Sequence, residues 1–252
     1  MIRMKYPFEI EVCCDSWQST QIAYEAGVNR VELCSGIGEG GLTPSLGLIQ
    51  LVMQKLAIQT HVLIRPRSGD FLYSPEEIEI MERDVEACRN MGVHGVVIGF
   101  LLANGDIDVN LTKRFISLAG HMKVTFHRAF DMCKDPIKAL EELKELGIDY
   151  VLTSGQAAKA KDGESLISEL VKKSDGKIKI MPGSGVRAHN LEELMKNTQA
   201  PAYHMSARIK TDSKMEYKKT SVAMGAQSLD DEYKISTHSL EDLKLAMSLV
   251  QK

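Results

Sequence analysis

GIDYVLT, Gly147–Thr153, carries the architecture in seven residues: a glycine, a short turn, then a run of apolar and β-branched side chains. The same order appears at GVNRV, Gly27–Val31, and at GVHGV, Gly92–Val96. Each glycine follows an amphipathic segment and suits the left-handed position just past a helix end. The three glycines stand 65 and 55 residues apart, each interval about two βα units. A repeated helix–turn–strand passage predicts stacked βα units around a parallel sheet.

Working outward, strands are expected at about Phe8–Cys13, Arg30–Cys34, Thr60–Arg65, Gly95–Phe100, Lys123–His127, Tyr150–Thr153, Lys177–Met181 and Ala202–Ser206. Several carry Val or Ile on both faces, as strands buried on both sides should. Eight is the number that closes a barrel. Helix starts are punctuated too: Ser74-Pro75-Glu76-Glu77 reads as a capping box with proline at the first helical position. Asp135-Pro136 and Thr43-Pro44 read as two further starts, and Gly120 joins Gly27, Gly92 and Gly147 as a stop. No G-x-G-x-x-G follows the first strand, which counts against an open dinucleotide-binding sheet. The fold class read here is α/β, a single (β/α)8 TIM barrel.

No linker rich in Pro, Gly or Ser divides the chain, so residues 1–252 read as one TIM-barrel domain. A long irregular loop, about 207–237, precedes a last helix at Ser239–Val250 and is expected to serve as a lid or interface. The 252 residues, 44% of them hydrophobic, build a core without disulfide or metal staples. A net charge of −3 with scattered basic residues argues against nucleic acid, and no apolar run is long enough for a membrane span or signal peptide. Five cysteines, Cys13, Cys14, Cys34, Cys88 and Cys133, lack C-x-x-C spacing, a pattern suited to a reducing cytoplasm.

Strand alternation makes the polar residues informative. Glu9, Glu11 and Cys13 share one face of the first strand, and Glu32 and Cys34 one face of the second. His61, Leu63, Arg65 and Arg67 share a face of the third, and Thr125 and His127 a face of the fifth. Burying a lone charge costs several kcal/mol, so Glu11, Glu32, Arg65 and His127 are expected to point inward and satisfy one another near the barrel mouth. Two readings stand: a structural ion-pair network, or a catalytic site in which His127 or a carboxylate moves protons. In the second, Arg65 and Arg67 hold an anion. Pro182-Gly183-Ser184-Gly185-Val186 after the seventh strand and Ser206-Ala207-Arg208 after the eighth stand where barrels often cradle phosphate. Gly183, Gly185, Ser206 and Arg208, with Arg67, are therefore candidate anion contacts, against the plain alternative of a tight turn; Thr153–Gln156 could add hydroxyl donors. Lys123 and Lys179 stand early in their strands, which disfavours Schiff-base chemistry. No organic cofactor is implied.

Longer strings carry a resemblance. EIEVCCDSWQS (Glu9–Ser19), NRVELCSGIGEGGLTPSLG (Asn29–Gly47), RPRSGDFLYS (Arg65–Ser74) and VTFHRAFDM (Val124–Met132) resemble the CutC family of copper homeostasis proteins. VLTSG (Val151–Gly155), MPGSGV (Met181–Val186) and SVAMGA (Ser221–Ala226) extend it along nearly the whole chain. The resemblance implies a cytoplasmic TIM barrel assigned to copper handling, often a homo-oligomer. Cys14 stands where relatives often have Val, and Ser68 where Gly is common.

Three functions are weighed. The first is copper handling, with Cys13 and Cys34 ending adjacent strands that lie ~4.8 Å apart and sharing one Cu(I); Cys14 substitutes if the doublet's register is reversed. Its plain alternative is cysteine as apolar filler. The second is an enzyme acting on a small anionic or phosphorylated substrate at the strand carboxyl ends. The third is an assembly scaffold without chemistry.

Overall fold

The computed structural model describes residues 8–219, 221–222, 224, 229 and 231–250. Eight parallel strands, β1 (Glu9–Cys14), β2 (Arg30–Leu33), β3 (Gln59–Leu63), β4 (Gly95–Ile98), β5 (Lys123–Phe126), β6 (Tyr150–Thr153), β7 (Lys179–Pro182) and β8 (Ala202–Met205), run in the order β7-β6-β5-β4-β3-β2-β1-β8. β7 and β8 lie side by side and complete the circle, so the chain is a TIM barrel. The helices are α1 (Trp17–Ala26), α2 (Leu46–Lys55), α3 (Pro75–Asn90), α4 (Val109–Ala119), α5 (Pro136–Leu146), α6 (Glu164–Lys173), α7 (Ala188–Thr198) and α8 (Leu240–Val250).

The predicted punctuation recurs in the backbone. Gly27, Gly92, Gly120 and Gly147 all take positive φ at helix ends. Ser74 and Glu77 form the expected capping box, and the Asp135 carboxylate accepts the amides of Ile137 and Lys138. Thr43-Pro44 is a correction: α2 starts two residues later, capped by Ser45, because the Thr43 hydroxyl instead accepts the Arg65 amide and ties the loop after β2 to β3. The stretch 207–237, read as irregular, contains β9 (Arg208–Asp212), paired antiparallel with β10 (Lys234–His238). Part of that stretch, with part of SVAMGA, lies outside the described residues.

Alternate strand residues face opposite layers. Val12, Val31, Val62, Val96, Phe126, Val151 and Tyr203 pack outward against Ile49, Met81, Phe115, Leu140 and Leu243 of the helices, within one core cluster that runs from Ile10 to Val250. The inner face is different, and contacts that skip strands define it. Arg30 of β2 donates to Met181 of β7 and lies over the Tyr150 ring of β6, 4.1 Å from its centroid. His61 of β3 reaches Thr125 of β5 at 3.4 Å. Such contacts pass only through the barrel interior. That interior is therefore largely polar, with small apolar plugs at Tyr150, Leu152, Met181 and Ala202 and at Cys34, Leu63 and Val97.

Candidate metal centre

Glu11 is the hub. It sits mid-strand on the inner face of β1, 1% exposed, and the parallel register sets it against Arg30 on one side and His204 on the other. The Arg30 Nε–H donates to Glu11 Oε2, and its other nitrogens reach Glu9 and Met181. Glu11 Oε1 lies 2.8 Å from His204 Nδ1. Burial pushes the Glu11 carboxyl up, but Arg30 and His204 outweigh it and hold the group well below the usual carboxylate range. Glu9 continues the network toward the amino ends of the strands, accepting from Tyr150 and Lys179.

With its Nδ1 committed to Glu11, His204 turns Nε2 toward the carboxyl ends of β1 and β2. Cys13, Glu32 and His204 each place a donor atom there, all within 4.8 Å of one another. Cys34, one residue past β2, brings its sulfur 3.4 Å from that of Cys13. Burial would lower the His204 pKa, but the flanking Glu32 and Glu11 carboxylates and Cys13 raise it well above the ordinary histidine value. The contact with Cys34, with burial, pushes the Cys13 thiol up, and burial likewise raises Glu32. Cys14 faces the helices, fully buried among the outer-layer residues, which settles the doublet: Cys13 is the inward thiol.

The expected quartet divides. Glu11 and Glu32 belong to this centre, but Arg65 and His127 meet neither of them, which corrects the mutual pairing. Both stand beyond the ends of β3 and β5. Arg65 donates to the carbonyls of Glu39, Gly41 and Gly69 and lies over Phe71. His127 Nδ1 accepts the Ala129 amide, and the ring packs against Phe71 at 4.9 Å and presses on Gly99, where a Cβ would come within 2.3 Å of it. Burial, then Arg65, lowers the His127 pKa to about 3.

Most of the candidate anion contacts have partners within the protein. Arg67 is held by Glu77, Asp70 and the carbonyls of Ser68, Asp70 and Leu72. Gly183 donates its amide to the Thr153 carbonyl and fits against Leu152, 2.5 Å from a would-be Cβ. Gly185 takes positive φ beside Lys159, and Arg208 donates to Ser206. Within the loop after β6, Thr153 Oγ1 and the Ser154 and Gln156 amides all donate to the Asp131 carboxylate.

Sequence reasoning missed Arg30 and His204. Both share the inward parity of residues it did select: Arg30 lies two before Glu32, and His204 two before Ser206. Extending each alternation to the start of its strand would have found them.

The CutC family model matches residues 8–209. A CutC family protein of Parabacteroides distasonis is 48% identical over 93% of this chain and 97% of its own length. The copper homeostasis protein cutC homologs of mouse and human are each 45% identical over 90% of this chain and 84% of theirs. A solved CutC structure from Streptococcus agalactiae superposes with TM-score 0.74 at 29% identity, covering 78% of this chain and 97% of that one. Thiamine phosphate pyrophosphorylase of Pyrococcus furiosus, at TM-score 0.57 and 14% identity, shares the barrel fold.

Proposed function

The chain belongs to the CutC family, and from that premise we propose that it handles copper by binding Cu(I) through Cys13 and Cys34, with His204 as a further donor. One observation carries the reading: two thiols from adjacent strands stand 3.4 Å apart at the strand carboxyl ends, beside an imidazole nitrogen. Thiolate is the ligand class that favours Cu(I). Cys13 is half-buried, which gives an ion a way in from solvent, while Cys34 is fully buried beneath it. Glu11 does for His204 what an outer carboxylate does for a metal-bound histidine, fixing the tautomer and aiming Nε2. Relatives named for copper homeostasis support the same reading. All five cysteines are free thiols, which suits a cytoplasmic setting.

Titration with Cu(I) against a chromophoric chelator, under reducing conditions, tests this. Wild type should take up one ion, and Cys13→Ser and Cys34→Ala should each bind roughly tenfold more weakly or worse, at unchanged circular dichroism. Equal binding by all three proteins overturns the reading.

A second reading, a small-anion ligand, is favoured by one observation. Arg65 is 6% exposed, its terminal nitrogens hydrogen-bond only to carbonyls, and among the described residues its Nε–H has no partner, nor has the Nε2 of His127. Two buried donors next to one aromatic ring, with no carboxylate among their hydrogen-bond partners, would suit a carboxylate or phosphate. Sulfate soaked into crystals should appear beside Arg65; ordered loops with no added density there count against it.

A further inference from the structure

Glu32 is hard to place around Cu(I). Its side chain is 7% exposed, yet it accepts no N–H or O–H hydrogen bond among the described residues. Within 4 Å its cationic neighbour is His204, whose Nε2 stands 3.8 Å from Glu32 Oε2. Support for the carboxylate comes from the Cys13 thiol and from the charges of His204 and Arg30, a thinner set than the N–H and O–H donors that usually offset the desolvation of a carboxylate. Glu32 also brings a hard oxygen to a centre whose other donors are sulfur and nitrogen, and carboxylate has little affinity for a soft monovalent ion.

We infer that the same centre takes a divalent ion of the zinc class, held tetrahedrally by Cys13 Sγ, Cys34 Sγ, His204 Nε2 and a Glu32 carboxylate oxygen. The inference shares the thiol pair with the copper reading and adds Glu32 as the residue that admits the harder ion. The separations support it. Zinc binds oxygen and nitrogen at about 2.0 Å and sulfur at about 2.3 Å, so tetrahedral ligand atoms lie roughly 3.3–3.8 Å apart. The two sulfurs are 3.4 Å apart, and the histidine nitrogen and glutamate oxygen 3.8 Å. Those two pairs each need only a few tenths of an ångström of adjustment. Cys34 Sγ stands outside the group of Cys13, Glu32 and His204 donors that lie within 4.8 Å of one another, so its side chain must close by roughly 1 Å on the ion to complete the tetrahedron. An ion held in line between two sulfurs would instead need them roughly 4.6 Å apart, twice a metal–sulfur bond of about 2.3 Å. That means forcing open neighbours set by the strand ladder.

Charge points the same way. Two thiolates and a carboxylate around a divalent ion leave one net negative charge, and Arg30, bonded to Glu11 behind His204, stands close enough to offset it. The Glu11–His204 contact supplies the carboxylate–histidine support common to zinc sites. Four protein ligands fill the shell, so this is a holding site with no open position for a reacting water.

The test uses the full-length reduced protein with Co2+ as a spectroscopic probe of zinc coordination. Wild type should show the intense visible bands of tetrahedral Co2+ with a thiolate charge-transfer band, both abolished by one equivalent of Zn2+. Glu32→Gln should weaken Zn2+ binding about tenfold or more while leaving Cu(I) affinity close to that of wild type. If wild type binds Cu(I) but gives only the weak spectrum of octahedral Co2+, this inference falls and the copper reading stands. If neither ion binds, both fall. If Glu32→Gln weakens Cu(I) and Zn2+ equally, Glu32 is not the discriminating ligand and the assignment is overturned. Circular dichroism of each variant separates loss of a ligand from loss of fold.

Discussion

Two sectors of the barrel mouth gather buried polar side chains and use them in opposite ways. At β1, β2 and β8, residues within or just past the strands meet one another: Arg30 holds Glu11, Glu11 holds His204, and His204 faces Cys13 and Glu32. Beyond β3 and β5, Arg65 and His127 meet backbone instead, the first through carbonyls of two loops and the second through an amide of its own loop. The difference follows from position. Inside a strand the backbone groups are already spent in the ladder, so an inward charge finds only side chains; past the strand end, loop carbonyls and amides are unspent and reach it first. The first sector thereby keeps donor atoms free for an ion, and the second largely spends its polar atoms on loop shape.

Removing Arg30 should have the largest effect. Arg30→Met leaves the Glu11 carboxylate, 1% exposed, without its guanidinium. Breaking a buried pair on one side costs about 3–5 kcal/mol, readable as a drop in urea-unfolding stability. Freed from Arg30, Glu11 also holds His204 less firmly, so Cu(I) affinity should fall by roughly 10–100-fold. Adding Glu11→Gln to Arg30→Met should restore part of the stability, because the orphaned charge is gone. If Arg30→Met alone costs less than about 1 kcal/mol, the interior is wetter than the contacts suggest, and the contrast between the sectors weakens.

Acid should expose the second sector next. His127 and His61 are both lowered to about 3, mainly by burial, with Arg65 and Arg30 respectively adding to it. An unfolded histidine titrates near 6.5. Below that value the unfolded chain takes up protons that the folded chain refuses, so stability falls as pH drops from about 6.5 toward 3, each residue contributing a slope of up to about 1.4 kcal/mol per pH unit. Glu11, held low when folded, destabilises in the same direction, its contribution being present above its ordinary pKa and lost as pH falls further. His204, raised when folded, is fully stabilising below about 6.5 and loses its contribution only as pH rises, so it leaves the acid window alone. His127→Asn keeps an acceptor for the Ala129 amide and removes one titration. Its stability between pH 6.5 and 5 should fall by about 1.6 kcal/mol less than that of wild type. Parallel pH profiles for the two proteins would show that His127 is already protonated or solvent-reached in the fold.

The sectors also differ in how far they could be read in advance. Two-residue alternation gave the inward parity of Glu11, Glu32 and Cys13, and adjacency of the first two strands brought Cys13 toward Cys34. Partner choice was not legible, because it depends on which strands face each other across the barrel. Arg30 reaches Met181 across the barrel, 151 residues away in sequence, while His204 meets Glu11 only because the barrel closes β8 against β1, 193 residues apart. For Arg65, past the end of its strand, the partners are carbonyls, which carry no residue-type signal. Thr43-Pro44 looked like a helix start because threonine caps helices well; its hydroxyl had a better use at Arg65. The hairpin of β9 and β10 was hidden because β9 is exposed along its whole length and lacks an apolar run.

The smallest expected effect sharpens the comparison most, because it separates the two sectors by function. Arg65→Lys keeps a positive charge in the same place but replaces a planar fork by a point donor. The guanidinium now serves Glu39 and Gly41 from one nitrogen and Gly69 from the other, tying the loop after β2 to the loop after β3. An ammonium on a shorter reach can keep one of those bonds. Losing the others while retaining charge should cost about 1–2 kcal/mol, below a full deletion because the loops can recruit water. The loosened segment, residues 66–73, should be cut faster by protease under native conditions. Cu(I) affinity should stay at the wild-type value, since none of the carbonyls involved belongs to Cys13, Cys34 or His204. A matching fall in Cu(I) affinity would join the sectors into one site, and the division drawn between strand residues and loop clamps would have to be withdrawn.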